Sequence, residues 1–299
     1  MWLWTAIASA FLLGFYDVAK KKASERNGVL HILLYTTAIS TCFFLPLILS
    51  SLFDWHLADG TLLEMHRGPF HDHLLIFIKS VVVAISWITG LMGLKNLPIT
   101  TAGTIKASRP VFVLLGSIIL FGERLNAWQW AGVVVSVLAL WLLSLSSRRE
   151  GIDFAKNKWI FCMVLSVLAG VASALMDKYI MSSMSAIFVQ SWCNFYIALI
   201  MAVIVLIAKL IQGENYRKFK WDWAILVISI FVSLSDFFYF FSLGDKDAML
   251  SIVSMLRRSS VIITFICGAI LFKEQHVKQK SLSLLLLLIG MAILVFGSR

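Results

Sequence analysis

Five basic residues lie inside long apolar stretches of the sequence, where a charge needs a partner. They are Lys79, Lys106, Arg109, Arg257 and Arg258. In a lipid-exposed helix each would cost at least ~2.5 kcal/mol, so such residues usually face a cavity or a counter-ion. Arg binds carboxylate or phosphate oxygens through paired hydrogen bonds, and Lys binds them as a point charge. The five cations therefore predict a buried site for an anion.

Three acidic residues share the apolar stretches with these cations. They are Asp17, Asp177 and Asp236. If each acid neutralises one base, two positive charges remain uncompensated. Asp236 lies one helical turn from Tyr239, and we interpret it as a counter-ion for the cations; the alternative is a proton-coupling carboxylate. A negatively charged ligand would neutralise the remaining positive charge.

Several of these residues have a second interpretation. Adjacent helical residues point about 100° apart, so Arg257 or Arg258 could instead form a structural ion pair or reach the membrane surface. Lys79 could lie at the interface. Trp87 lies within a span, and we include it with Tyr239 as a candidate substrate contact, although aromatic side chains at such positions more often pack.

Pro110 predicts irregular backbone beside two of the cations. Lys106 and Arg109 are three residues apart, so they share one face of a helix. A proline at position 110 removes the hydrogen bond to the carbonyl of Lys106. Backbone of this kind is tolerated in a membrane only where it lines a cavity.

The composition predicts an all-α integral membrane protein. Of 299 residues, 60% are hydrophobic and 14% are charged, and the mean hydropathy is +0.89, which excludes an ordinary water-soluble domain. The apolar runs are too long for the strands of a membrane barrel. They give ten predicted spans, at residues 2–19, 29–53, 74–94, 100–121, 127–146, 158–180, 186–211, 222–243, 248–272 and 281–297.

An internal repeat divides these spans into two halves. A shift that carries Gly93 to Gly244 also aligns Ile119–Glu123 with Ile270–Glu274, and it places Lys106 and Ala107 on Arg257 and Arg258. Each half has five spans, an odd number, so the second half must have the opposite orientation. The predicted units are 1–146 and 158–299, joined by a charged linker at 147–157.

Two motifs carry a resemblance to a known family. The fourth span closes with Gly122-Glu123-Arg124-Leu125, and the fifth contains Trp130-Ala131-Gly132. With ten spans in two halves, the chain resembles the EamA-like branch of the drug/metabolite transporter superfamily. The resemblance implies a transporter or exporter of a small metabolite. Glu123 and Glu274 recur at equivalent span ends, and we interpret them, together with Pro110, as structural positions.

A phosphate-translocating branch of the same superfamily resembles the cation pattern. Its Lys in span four and basic pair in span nine correspond to Lys106, Arg257 and Arg258, and Arg109 matches the span-four position equally well. The expected function is a secondary carrier, working by alternating access, for a phosphate- or carboxylate-bearing metabolite. The alternatives are an exporter of amino acids or other zwitterions, and a flippase for a lipid-linked sugar phosphate.

Other functional classes are disfavoured. Ionisable groups recur in both halves, as a transport pathway requires and an enzyme active site does not. The histidine-rich segment that includes His56, His66, His71 and His73 has no metal-ligand spacing, and no glycine-rich phosphate loop is present. We expect no cofactor, metal or nucleic acid; the expected partners are an anionic substrate and the lipid bilayer, and a homodimer is left open.

The location and orientation are also expectations. We expect a bacterial inner membrane. Most Lys and Arg residues outside the spans lie in the loops after odd-numbered spans, which by the positive-inside rule places both termini outside. The family resemblance implies both termini inside.

Overall fold

The structure, a computed structural model, describes residues 2–55, 60–61, 63–65, 67–121, 126–148, 153–154, 156–181, 183–212, 219–243, 253, 256–272 and 277–297. All regular secondary structure in these residues is α-helical. The helices are α1 (Trp2–Arg26), α2 (Val29–Phe53), α3 (Phe70–Asn96), α4 (Ile99–Ala107), α5 (Arg109–Phe121), α6 (Ala127–Arg148), α7 (Lys158–Ile180), α8 (Ala186–Gln212), α9 (Trp223–Leu243), α10 (Ser260–Leu271) and α11 (Val277–Gly297).

The bundle has the dimensions and the surface of a membrane protein. Among the described residues, six helices are long and apolar enough to cross a bilayer: α2, α3, α6, α7, α8 and α9. Large apolar side chains such as Phe11, Phe161 and Leu210 lie on the outer surface, as expected for contact with lipid. The interior instead holds many small polar residues, including Ser9, Ser80 and Thr104.

Reciprocal serine hydrogen bonds join two pairs of helices. Where α1 packs on α9, the Ser9 hydroxyl donates to the Ser235 carbonyl at 2.7 Å and the Ser235 hydroxyl donates to the Ser9 carbonyl at 2.9 Å. Where α3 packs on α7, Ser86 and Ser166 exchange the same bonds at 2.8 and 2.6 Å. Small side chains allow the backbones to approach closely. Other helix pairings include α2 with α8, α6 with α11, and α4 with α10.

The predicted fourth span is two helices, α4 and α5, separated by Ser108. The hydroxyl of Ser108 donates to the carbonyl of Ile105 at 2.6 Å, and its backbone N–H donates to the same oxygen at 3.2 Å. Pro110 has no backbone N–H to continue the helix. The irregular backbone therefore lies where Pro110 predicts it.

A matching break interrupts the predicted ninth span, where we did not expect one. Residues 256–258 are helical, Ser259 is not, and α10 begins at Ser260. The Ser259 hydroxyl donates to the Leu256 carbonyl at 2.6 Å, and its N–H donates to the same oxygen at 3.1 Å. No proline follows, since Val261 stands where span four has Pro110.

Other boundaries also differ from the predicted ones. α1 continues to Arg26 and α6 to Arg148, because charged side chains extend a helix beyond its apolar segment without an energetic penalty in water. The predicted motif residues Glu123 and Glu274 lie outside the described residues.

Candidate functional site

One cavity of about 620 Å³ lies between the helices, and the predicted site residues line it. This volume is within the ordinary range of sites for small ligands. Its walls include every predicted substrate contact and the helix-breaking proline: Lys79, Trp87, Lys106, Arg109, Pro110, Asp236, Tyr239, Arg257 and Arg258. Fold and sequence thus bring together residues from α3, α4, α5, α9 and the segment before α10.

Three of the predicted cations form ion pairs across this cavity. Lys79 Nζ lies 2.5 Å from Asp177 Oδ1, and Lys106 Nζ lies 2.7 Å from Asp17 Oδ1. Arg257 donates to Asp236, and its guanidinium also lies 4.1 Å from the centre of the Tyr239 ring. Each pair joins two different helical segments. The pair with Asp236 is the contact that a counter-ion role requires.

Arg109 is held by backbone and not by a carboxylate. It is the first residue of α5, and its guanidinium donates to the carbonyl of Gly170 in the middle of α7. A Cβ on residue 170 would lie 2.8 Å from Arg109 Cζ. The glycine therefore lets the guanidinium lie against the backbone of α7, and no carboxylate among the described residues forms an ion pair with it.

Arg258 is the second cation without a carboxylate. It is half-buried, lines the cavity, and forms no ion pair with any residue that the structure describes. The positive charges of Arg109 and Arg257 repel it. Like charges of this kind are costly to hold together in a low-dielectric interior. Bound anion would relieve that repulsion.

The sequence interpretation missed a sixth cation, Lys20. Its side chain lies in the cavity, and the residue is only 4% exposed. Lys20 Nζ donates to the Tyr16 hydroxyl at 3.0 Å and lies 5.9 Å from the centre of the Trp87 ring. Because it stands in the run Lys20-Lys21-Lys22, it resembled part of a basic loop at the membrane surface.

The cavity lining therefore carries six basic side chains and three carboxylates, a formal excess of three positive charges. Neutral hydrogen-bonding groups complete the wall: Gln190 and Asn194 on α8, and Ser173 on α7. Gln190 Nε2 donates to the Ser233 carbonyl at 3.2 Å, which leaves its carbonyl oxygen available. The arrangement can bind an anion and orient its polar substituents.

The histidine-rich segment does not meet this cavity in the described residues. His73 Nδ1 lies 3.0 Å from the Tyr196 hydroxyl, and its ring packs edge-on against Trp192 at 4.5 Å. His56 and His66 lie outside the described residues. Within the part of the chain that the structure describes, no three potential metal-ligating side chains come together.

Comparison with known proteins identifies the family. The model of the EamA-like transporter family matches residues 1–145 and 157–296. The chain belongs to the EamA-like transporter family. The resemblance drawn from the motifs and spans is thereby confirmed.

Two individual proteins are similar to this EamA-like chain. An uncharacterized transporter of Pseudomonas aeruginosa is 27% identical over 147 residues, which are 49% of this chain and 47% of that protein. The chain thus matches about half the length of that curated relative. A solved crystal structure has 15% sequence identity and a TM-score of 0.66, and the match covers 98% of this chain and 96% of the chain in that structure. That second likeness concerns the fold.

Proposed function

We propose that this EamA-like transporter is a secondary carrier for a small anionic metabolite bearing a phosphate or carboxylate group. The observation that carries the proposal is the charge of the cavity: Arg109 and Arg258 line it without a carboxylate partner among the described residues. Arg257 Nε is also buried, and no described residue supplies it with a hydrogen-bond acceptor. Buried donors in native proteins nearly always have an acceptor, and the oxygens of a bound anion would supply one.

We infer further that two five-span halves of opposite orientation alternate in opening the cavity to either side of the membrane. If the two halves correspond, α1 matches α7 and α3 matches α9. The contact of α1 with α9 then corresponds to the contact of α7 with α3, and reciprocal serine bonds occur in both. In the same way, the contact of α5 with α7 corresponds to the contact of α10 with α1, and both pairs of helices pack together. The two segments matched by the family model follow the same division. Such symmetry supports alternating access.

A zwitterionic substrate is the competing class. An amino acid would need a carboxylate for its ammonium group, whereas Asp17, Asp177 and Asp236 are each already paired with a cation. Breaking a buried pair to free a carboxylate is costly. The ion pairs therefore favour the anionic substrate.

Counterflow in proteoliposomes tests the proposal. Vesicles containing only this protein are loaded with phosphorylated metabolites, carboxylates or amino acids in turn, and exchange with the labelled compound outside is measured. We expect exchange of anions and none in vesicles containing the R109Q/R258Q double variant. Exchange of amino acids without exchange of any anion would overturn the proposal, as would equal exchange by the double variant.

A further inference from the structure

The excess positive charge of the cavity is unevenly distributed. Lys79 and Asp177 form a neutral pair at one end. Arg109 and Arg258 lie near the middle, beside the neutral pair of Arg257 with Asp236. At the other end Lys20 and Lys106 share the single carboxylate of Asp17, which contacts Lys106. Positive charge therefore exceeds negative charge both around Arg109 and Arg258 and around Lys20.

The geometry of α1 and α4 sets the distance between these places. The two helices are antiparallel, because Lys21 Nζ donates to the Leu97 carbonyl at 2.6 Å just before α4, whereas Asp17 meets Lys106 further along it. From that ion pair, Lys20 lies three residues toward one end of the bundle and Arg109 three residues toward the other. Their backbones are therefore about 9 Å apart along the bundle if the 1.5 Å rise per residue of an α-helix also holds across the break at Ser108.

Lys20 lies among aromatic groups, and the described residues use only part of its hydrogen-bonding capacity. The ammonium lies 4.6 Å from the centre of the Tyr16 ring and 5.9 Å from that of Trp87. Aromatic faces stabilise a cation without neutralising it. Its hydrogen bond, to the Tyr16 hydroxyl, uses one of three ammonium donors. In its protonated form Lys20 can donate its remaining hydrogen bonds to an anion.

We propose that Lys20 forms a second anion subsite and that the substrate carries two separated negative groups, one held by Arg109 and Arg258 and the other by Lys20. This inference rests on the proposed function, since it concerns the same cavity. Trp87 and Tyr16 line the same cavity beside Lys20, and their rings would contact the apolar middle of such a molecule. The charge class of the substrate thus follows from the spacing of the unpaired cations.

Binding of dicarboxylates and their monoamides tests the two-anion substrate. Calorimetric titration of the purified full chain in detergent uses succinate, adipate and suberate, and the monoamide of each, which keeps the length and removes one charge. We expect one chain length to bind best, and its monoamide to bind at least about tenfold more weakly, because one charge-assisted contact is lost.

Variants separate this inference from the proposed function. K20M and K20Q should bind the diacid about as weakly as wild type binds the monoamide, whereas R258Q should weaken both ligands. K22M is the matched control, since Lys22 is exposed on the same helix, and it should bind as wild type does. Melting curves without ligand check that each variant is folded.

Each remaining outcome is decisive. If K20M and K20Q keep the wild-type preference for the diacid while R258Q weakens binding, the second subsite is wrong and the proposed function stands. If wild type binds no diacid better than its monoamide, the two-anion substrate is wrong. If R109Q and R258Q leave binding of every anion unchanged, the proposed function itself fails.

Discussion

The two broken spans of this transporter reach the same geometry from different residues. In span four the break at Ser108 is followed by Pro110, and in span nine the break at Ser259 is followed by Val261. In both, the serine hydroxyl donates to the carbonyl three residues earlier at 2.6 Å. A serine bond of this kind competes with the regular helix pattern. Proline is therefore not the common cause of the breaks, whereas serine is present at both.

The cations around the two breaks are also arranged alike. The residue two positions before each serine is paired with an aspartate, Lys106 with Asp17 and Arg257 with Asp236. The residue beside each serine is an unpaired arginine, but Arg109 follows Ser108 whereas Arg258 precedes Ser259. In span four the break lies between the paired and the unpaired cation, and in span nine it follows both of them. In the function we propose, the paired residues hold the helices together and the two arginines bind the anion.

Removing the unpaired arginines gives the largest expected effect. R109Q and R258Q should each lower anion exchange in proteoliposomes about 100-fold, the loss expected for a charge-assisted contact in a water-poor cavity. Expression and melting temperature should stay close to wild type, because neither arginine neutralises a carboxylate. Near-normal exchange by both single variants would contradict the proposal that the unpaired arginines, and not the paired cations, bind the anion.

Removing the paired cations should affect stability first. R257Q removes the cation paired with Asp236, and K106Q leaves Asp17 with only the more distant Lys20. Because the side chains are only partly buried, we expect about 2 kcal/mol of destabilisation for each, below the full cost of an orphaned buried charge. The double variants R257Q/D236N and K106Q/D17N should recover most of it in thermal unfolding. A double variant no more stable than its single variant would refute the pairing.

Gly170 offers a smaller and more local perturbation of the span-four arginine. In G170A the new Cβ would lie 2.8 Å from Arg109 Cζ, so the guanidinium must leave the α7 backbone. We expect exchange to fall about tenfold through misplacement of the charge. L168A, at an exposed position of the same helix, is the control and should exchange normally. An unaffected G170A would mean that the position of Arg109 on α7 is irrelevant to transport.

How far the sequence predicts this molecule depends on how unusual each residue is in its context. Lys79, Arg109 and Arg258 were identified because a charge within an apolar run is anomalous, and the cavity contains all of them. The family and the helical class were predicted because span lengths and motifs are local properties. The ion-pair partners were not predicted, since Asp17 lies close to Lys20 in sequence yet pairs with Lys106 on another helix.

The cavity position of Lys20 and the break at Ser259 were missed, because neither residue is unusual in its sequence context. Lys20 stands among three consecutive lysines, which in the structure point to the cavity, to the carbonyls at the end of α3, and to the surface. The rotation of about 100° per residue was the available signal. Ser259 had no such signal of its own, because serine occurs in unbroken helices. Its match to Ser108 in the repeat was the clue.

The smallest expected effect concerns which residue makes each break. If serine is sufficient, P110V converts span four to the pattern of span nine and should change exchange by less than about threefold. S108A should also be mild, because Pro110 still prevents the regular hydrogen bond. S259A removes the serine where no proline follows, so span nine can straighten, and its loss should be larger, several-fold. The S108A/P110V double variant should match S259A. If P110V loses more exchange activity than S259A does, then proline causes the break in span four, and the two spans are broken by different residues.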